Sequence, residues 1–156
     1  NSGTVSIGGN WNNVQDETHF KETNGLVNFN GAVGPQTLSI GTGPELFHNI
    51  RVNKASGHLT LNTPIRVQNN FDFVSGQVFS TATNLITMAS GATTTSASDA
   101  SYVDGPILLL GGGVGTTLPF PVGKNGHYRP ASLLGSTGNS INGFIGEYFN
   151  VGYPEL

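Results

Sequence analysis

Nine acidic side chains are the first candidates for acid–base or metal chemistry in this 156-residue sequence. They are spread along the chain, at Asp16, Glu17, Glu22, Glu45, Asp72, Asp99, Asp104, Glu147 and Glu155. A polysaccharide lyase built on a β-helix needs several carboxylates around a calcium ion and a basic side chain on one sheet face. Only Asp16, Glu17 and Glu22 are close together, and they lie in a polar segment. The acids therefore predict no catalytic residue, no metal site and no cofactor.

The other chemistry-bearing residue types are just as dispersed. The four histidines, which are His19, His48, His58 and His127, show no metal-ligand spacing on a strand or a helix. No Gly-x-Ser-x-Gly nucleophile elbow occurs. The glycine-rich run at 111–115 lacks the Lys-Ser/Thr and the following helix of a phosphate-binding loop, which indicates a flexible connection. These patterns favour a protein that is not an enzyme.

One aromatic and charged group could contact a ligand. Tyr102, Tyr128 and Arg129 would form a small sugar-stacking patch, with Asp104 as a charged hydrogen-bonding partner. The alternative is structural, with Arg129 pairing with Asp104 or Glu147 to tie two strands together. The single tryptophan, Trp11, has the same two interpretations, as a carbohydrate platform or as a packing residue.

The composition excludes several classes of partner. Only 10% of residues are charged, and six Lys and Arg against nine acids give a net charge of −3, so no basic surface for nucleic acid is expected. No segment approaches the roughly 20 apolar residues of a membrane-spanning helix, so no membrane insertion is expected. The chain has no cysteine, which leaves packing and ladder hydrogen bonds to stabilise the fold. The sequence also begins without Met or a signal peptide, which we interpret as a processed or excised piece.

Short period-2 segments separated by turn residues predict an all-β fold. Alternating pairs recur along the chain, at Val5/Ile7, Val27/Phe29, Leu38/Ile40, Leu59/Leu61, Ile65/Val67 and Phe71/Phe73. A longer strand is expected to place Leu46, His48, Ile50 and Val52 on one face. For the strand near residue 86, the pattern allows either Leu85 with Thr87 or Ile86 with Met88 on the inward face.

The spacing of the strands favours a solenoid. From Leu59 to Met88 a new strand starts every six to eight residues, which is tighter than the 8–12 residues typical of a sandwich. Strands this short with corner turns predict a right-handed parallel β-helix with about three strands per coil. The outward residues are then Thr60, Asn62, Arg66, Gln68, Asp72 and Gln77. An irregular β-sandwich built from the same strands remains the alternative.

The pattern changes after Met88. Residues 91–101 are rich in Ser, Thr and Ala and form either one more coil or a loop. Asn125-Gly126 is the best tight-turn signal, and Tyr128–Leu134 and Phe144–Phe149 each suggest a longer strand. We therefore predict a solenoid region over 1–101 and a small antiparallel β unit over 102–156, packed on the end of the solenoid.

The chain resembles the β-rich repeat regions of large secreted and surface proteins of Bacteroidota. In the first half the resemblance lies in Gly-Asn-Trp at 9–11, Val-Asn-Phe-Asn-Gly at 27–31 and Phe-His-Asn-Ile at 47–50, with Leu-Thr-Leu at 59–61 and Ser-Gly at 75–76. In the second half it lies in Tyr-Val-Asp-Gly-Pro at 102–106, Phe-Pro-Val-Gly-Lys at 120–124 and Tyr-Arg-Pro at 128–130. The residues of this second set that we expect to be structural are Asp104, Gly105, Pro106, Phe120, Pro121, Gly123 and Pro130.

The resemblance implies export to the cell surface and carries no enzymatic activity. The expected function is thus a non-enzymatic extracellular structural or adhesive protein, either self-assembling into a fibre or forming part of a long stalk. The expected partners are other copies, neighbouring domains of the parent chain or surface polysaccharide. The alternative is a carbohydrate-binding module of a secreted protein.

Overall fold

The computed structural model describes residues 3–16, 18, 20, 24–113, 115–135 and 143–151. These residues form strands and turns and no helix. The first strands in chain order are β1 (Thr4–Ile7), β2 (Trp11–Asp16), β3 (Leu26–Phe29), β4 (Gln36–Thr42), β5 (Glu45–Asn53), β6 (Leu59–Leu61), β7 (Ile65–Ser75), β8 (Val78–Phe79), β9 (Ile86–Met88), β10 (Thr93–Thr95), β11 (Val103–Asp104) and β12 (Ile107–Leu110). All pairings among these strands are parallel.

The strand registers define three stacks that run along one axis. The first face stacks β1, β3, residues 49–52, residues 70–73 and β10. The second face stacks β2, β4, β6, β8 and β11. The third face stacks residues 45–47, residues 65–67, β9 and β12. The chain visits the faces in turn, so the predicted β-solenoid is confirmed, with about five turns.

A small antiparallel part follows at the C-terminal end. Its strands are β13 (Thr117–Phe120), β14 (Gly123–Lys124), β15 (His127–Tyr128), β16 (Ala131–Leu134) and β17 (Gly143–Gly146). β13 pairs with β16, β14 with β15, and β17 with β12, all antiparallel. Arg129 and Pro130 separate β15 from β16, so the longer strand expected over Tyr128–Leu134 is broken there. Residues 152–156, and with them Glu155, lie outside the described part.

The core is a set of inward columns that pass from coil to coil. One column is Val5, Val27, Ile50, Phe71 and Thr94, and another is Glu45, Ile65, Ile86 and Ile107. Most of these apolar side chains are fully buried, because each inward residue is covered by its counterparts above and below. Ile86 with Met88 is therefore the inward pair of β9.

The face assigned to β5 from its sequence was wrong at its first half. Glu45 and Phe47 point inward with Ile50 and Val52, whereas Leu46 and His48 are only half-buried. The register shifts between Phe47 and Asn49, where the strand turns from the third face onto the first. Where a strand turns a corner, one extra residue interrupts the alternation of inward and outward side chains, so a strict period of two does not hold across the corner.

Residues 91–101 are a further coil and not a loop. β10 pairs in parallel with β7, and Ala92 and Ala97 pack against the core with partly buried side chains. Parallel pairing then continues through β11 and β12, and the antiparallel strands begin at Thr117.

Candidate functional site: the two ends of the solenoid

A short hairpin closes the C-terminal end over the second face. Val103 of β11 donates its N–H to the carbonyl of Pro121 at 2.8 Å, and Val103 bridges Val122 in parallel. Lys124 Nζ lies 2.9 Å from Asp104 Oδ1, and this contact raises the pKa of Lys124. Asp104 therefore pairs with Lys124 and not with Arg129, whose guanidinium donates to the carbonyl of Tyr128 at 2.9 Å.

Tyr102 fixes the tip of the same hairpin. Its side chain is only 1% exposed, and burial raises the pKa of its phenol. The hydroxyl accepts a hydrogen bond from the N–H of Gly126 at 2.7 Å. The ring packs against Gly123, where an added Cβ would lie 2.8 Å from Tyr102 Cδ2 and would also meet the carbonyl oxygen of His127. Tyr102 is thus a buried packing residue, and its ring is not accessible for stacking on a sugar.

The turn of the hairpin follows the sequence prediction. Asn125 and Gly126 both have positive φ, at 54° and 79°, and they connect Lys124 to His127 across a two-residue loop. This geometry is that of a type I′ turn, for which Asn-Gly is preferred. Tyr128 then donates its N–H to Asp99 Oδ1 at 2.6 Å, which attaches the second strand to the last coil.

We expect Tyr102→Phe to loosen this hairpin without unfolding the solenoid. The variant keeps the ring but removes the acceptor of the Gly126 N–H, at a cost of about 1 kcal/mol. Hydrogen–deuterium exchange should show faster exchange at Gly126 and unchanged exchange in β5 and β7. Tyr128→Phe is the control, because among the described residues no hydrogen bond to its hydroxyl is seen. Equal protection of Gly126 in both variants would contradict the role given to Tyr102.

Most of the remaining C-terminal motif residues pack the hairpin and the preceding corner onto the core. Phe120 and Pro121 are buried, and a Cβ on Gly146 would overlap the Phe120 ring. Gly105 has φ of 134° and sits against the backbone oxygen of Ser80, where a side chain would clash. Ser80 Oγ in turn donates to the carbonyl of Pro106 at 2.7 Å. Pro130 is exposed and lies between β15 and β16.

An aromatic cluster covers the core near the N-terminal end. Trp11 packs edge-on against Phe20 and Phe47, with ring centroids 4.7 and 5.6 Å away, and tilted against Phe29 at 6.4 Å. Its indole N–H donates to Glu45 Oε2 at 2.8 Å. These contacts support the packing interpretation of Trp11, because both its ring and its polar atom are used inside the fold.

Buried polar side chains join neighbouring coils at one corner. Gln36 is 2% exposed and donates through Nε2 to the carbonyls of Ile7, at 2.9 Å, and of Gly9. Its Oε1 accepts from the Gly31 N–H at 2.9 Å and from Lys54 Nζ at 3.0 Å. Lys54 is also 2% exposed, and burial lowers the pKa of its amine. One carboxamide therefore connects three consecutive coils.

The outer side of the first face carries a ladder of polar bonds. Arg51 Nε donates to Asp72 Oδ2 at 2.7 Å, and Thr95 Oγ1 donates to Asp72 Oδ1 at 3.0 Å. Asp72 points outward but is only 9% exposed, so the prediction that it faces water was wrong. The other residues predicted to point outward are exposed or half-buried, namely Thr60, Asn62, Arg66, Gln68 and Gln77. The ladder covers Asp72 because its neighbours on adjacent coils are long or hydrogen-bonding side chains.

The pKa of Asp72 gives the fold a defined response to acid. Burial opposes ionisation, but hydrogen bonds from Ser96, Arg51 and Thr95, with the charge of Arg51, outweigh it and lower the pKa. A carboxyl with a depressed folded pKa stabilises the protein above the ordinary aspartate pKa of about 3.9. That stability is lost as the pH falls through the depressed folded value.

We therefore expect acid to narrow the stability difference between wild type and Asp72→Asn. At neutral pH the variant should be less stable by about 1–2 kcal/mol, the cost of weakening hydrogen bonds to a charged group. The difference should stay constant from pH 7 to about pH 5 and shrink below about pH 4. Urea midpoints measured across this range test it, and a difference that is constant down to pH 3 would contradict the assignment.

A cavity of about 600 Å³ lies at the C-terminal end beside β10. Its walls come from the corner before β10, from the end of β12 with the glycines that follow, and from β13. They include Met88, Ala92, Thr94, Leu109 and Leu118. None of the described residues that line it is charged, so in this part of the chain the cavity provides apolar surface, hydroxyls and backbone groups and no titratable side chain.

The acids and histidines of the described residues do not gather into one cluster in the fold. His58 stacks on Phe79 at 4.1 Å and His127 is exposed in the hairpin, while His19 lies outside the described residues, as do Glu17 and Glu22. Within the described ranges, no group of three or more His, Asp or Glu side chains could hold a metal ion. In the same part of the chain, no helix is long and apolar enough to cross a membrane.

The predicted ligand-binding group is divided between different environments. Tyr102 is buried, Tyr128 is half-buried, Arg129 is exposed, and Trp11 belongs to the aromatic cluster near the other end. Sequence reasoning missed Gln36, Lys54 and Lys124, because their partners are one coil away. Aligning the sequence of each coil with that of the next would have placed Gln36 at the same position as the apolar residues Leu59 and Val78.

Comparison with known proteins gives no relative: no family model, curated protein or solved structure matches the chain.

Proposed function

We propose that this chain is a non-enzymatic extracellular structural protein, a rigid scaffold of a cell surface that presents surface for adhesion and assembly. The observation that carries the proposal is how its buried polar side chains are used. Thr63, Ser80 and Ser101 each bond to a backbone carbonyl on a neighbouring coil. Gln36 and Lys54 do the same in the corner network.

This pattern differs from that of an active site. Catalytic groups converge on a cavity, with shifted pKa values and free hydrogen-bonding capacity. Here most of the groups with shifted pKa values are used inside the fold: Asp72 and Lys124 are in ion pairs, and Lys54 and Tyr102 are buried and hydrogen-bonded. The described residues that line the cavity beside β10 include no titratable side chain. The resemblance to surface proteins of Bacteroidota supports the extracellular location.

A carbohydrate-binding module has weaker support as the alternative function. It would require an exposed aromatic platform, and two of its proposed contacts, Trp11 and Tyr102, are engaged in packing. Tyr128 and Arg129 remain as surface contacts, and a glycan array with Arg129→Ala as control would reveal binding through them.

Labelling of intact source cells tests the surface role. Antibodies against the purified chain should label non-permeabilised cells, and brief protease treatment of the cells should remove the label. Antibodies against a cytoplasmic protein serve as the control and should label permeabilised cells only. Labelling that appears only after permeabilisation would contradict the proposal.

A further inference from the structure

Asparagine is followed by glycine at 24–25, 30–31, 125–126 and 142–143. Asparagine in this setting is chemically labile, because the following glycine has no Cβ to keep its backbone nitrogen away from the carboxamide. Asn142 lies outside the described residues, and Asn24 directly follows residues 21–23, which lie outside them too. The structure therefore allows a comparison of Asn30-Gly31 with Asn125-Gly126.

Deamidation of such a pair proceeds through a five-membered succinimide ring. The glycine nitrogen loses its proton to water and bonds to Cγ of the asparagine, the Cγ–Nδ2 bond breaks, and the amide nitrogen takes up a proton and leaves as ammonia. Water then opens the ring at either carbonyl and gives aspartate or isoaspartate. Because the ring places Cβ, Cα, C and the glycine nitrogen nearly in one plane, the reaction needs both a free glycine nitrogen and a backbone that can move.

Asn30-Gly31 has neither. The Gly31 N–H donates to Gln36 Oε1 at 2.9 Å, and the Asn30 N–H donates to the carbonyl of Ile7 at 3.1 Å. Gly31 is buried, and a Cβ there would lie 2.8 Å from the carbonyl oxygen of Gly8. The succinimide geometry cannot be reached without breaking the corner network, so Asn30 should stay intact in the folded protein.

Asn125-Gly126 is restrained by far less. Both residues are exposed, and among the described residues nothing lies within 4 Å of a Cβ added at Gly126. The Gly126 N–H donates to the hydroxyl of Tyr102 at 2.7 Å, and Tyr102 is itself fixed by burial. A type I′ turn, with positive φ at both residues, has to open locally before the ring can close. The hydrogen bond to Tyr102 opposes this opening and occupies the N–H of the attacking nitrogen.

We propose that Asn125 is a deamidation site and that the Tyr102 hydroxyl sets its rate by holding the Gly126 nitrogen. Isoaspartate carries the main chain through its own Cβ and Cγ, so the product adds one carbon to the two-residue loop between Lys124 and His127. That loop no longer fits a type I′ turn, and the hairpin that closes the second face loosens. The closure of this end of the solenoid thus has a limited chemical lifetime.

The rate is measured by incubating purified wild type and Tyr102→Phe at physiological temperature and neutral pH, with peptide mapping by mass spectrometry over several weeks. We expect Asn125 to deamidate about fivefold faster in folded Tyr102→Phe, the factor that corresponds to the loss of one ordinary hydrogen bond. Tyr128→Phe is the matched control and should keep the wild-type rate. Equal rates at Asn125 in folded wild type and folded Tyr102→Phe would overturn the proposal.

The same incubation in urea removes the fold and keeps the sequence. Asn125 of wild type should then react faster than in the folded protein, and Tyr102→Phe should lose its difference from wild type. Asn30 should react only in urea. This comparison needs no variant, so it holds even if a thermal melt shows Tyr102→Phe to be unfolded. A wild-type Asn125 that reacts as fast folded as unfolded would show that Tyr102 protects nothing.

The structural consequence has a separate readout. The isoaspartate form carries one more negative charge and can be isolated by ion exchange from aged wild type. Hydrogen–deuterium exchange should be faster in this form at Val103 and Arg129, whose N–H groups donate to the carbonyls of Pro121 and Val122 at 2.8 Å, and unchanged in β5 and β7. Unaltered exchange at Val103 and Arg129 would contradict the loosening of the hairpin.

Discussion

Replacing Gln36 by leucine is expected to destabilise the solenoid by about 3–5 kcal/mol, although leucine is the residue at the same position one coil later. The substitution removes the donors to the Ile7 and Gly9 carbonyls and the acceptor of the Gly31 N–H. It also removes an acceptor of the buried Lys54 ammonium. The added apolar contacts offset only part of this loss, because a buried charge without sufficient partners is strongly destabilising.

The dependence on Lys54 makes the prediction specific. Lys54→Met alone should cost only about 1 kcal/mol, because Gln36 Oε1 still accepts the Gly31 N–H. The double variant Gln36→Leu/Lys54→Met should be more stable than Gln36→Leu, since it no longer buries an amine that has lost its carboxamide partner. Urea unfolding of the four proteins gives the coupling energy, with exposed Gln68→Leu as a control that should change little. A double variant as unstable as the sum of the single variants would contradict the network.

The sequence predicted the fold class because alternation survives within each short strand. Leu59/Leu61, Ile65/Val67 and Phe71/Phe73 are inward in the structure as they are in the pattern. The spacing of these pairs also predicted three strands per coil, since each corner needs only a few residues. Local pattern is sufficient here because a parallel coil buries the same alternate residues on every face.

The same reasoning fails where a strand turns a corner or a polar residue points inward. The register shift between Phe47 and Asn49 puts the two halves of β5 out of phase, so Glu45 and Phe47 point inward before the corner and Ile50 and Val52 after it. No local feature of the sequence marks this shift. Asp72 was predicted to face water and Gln36 was not singled out, because the partners of both side chains are fixed by the register between coils and not by neighbours in sequence. Lys124 and Asp104 meet for the same reason, since residues 20 apart in sequence become adjacent only after the hairpin folds back.

The ends of the solenoid were the least predictable part of the candidate site. The Asn125-Gly126 turn was evident, but the closure by Tyr102 depends on a packing contact with Gly123 that composition does not reveal. Likewise, the cavity beside β10 is bordered by the glycine-rich run at 111–113, which follows β12 on the third face. The interpretation of that run as a flexible connection did not predict that its residues border a cavity.

A corner glycine provides the second large expected effect. Gly57 has φ of 77°, and a Cβ there would overlap the backbone of Gly34 and lie 2.9 Å from the Pro35 nitrogen in the preceding coil. Because these atoms belong to the main chain, no side-chain rotation can relieve the overlap. Gly57→Ala must therefore separate two coils at this corner, and we expect a loss of about 3 kcal/mol or more in the free energy of unfolding.

Gly34→Ala separates the two causes of this loss. Gly34 occupies the same corner one coil earlier with φ of 68°, but nothing lies within 4 Å of its added Cβ. This variant should lose only about 1 kcal/mol, the cost of alanine in the left-handed region. The difference between the two midpoints in urea then measures the contact between coils alone. If Gly34→Ala were as unstable as Gly57→Ala, backbone conformation would account for the whole effect, and the close stacking of coils at this corner would contribute nothing to stability.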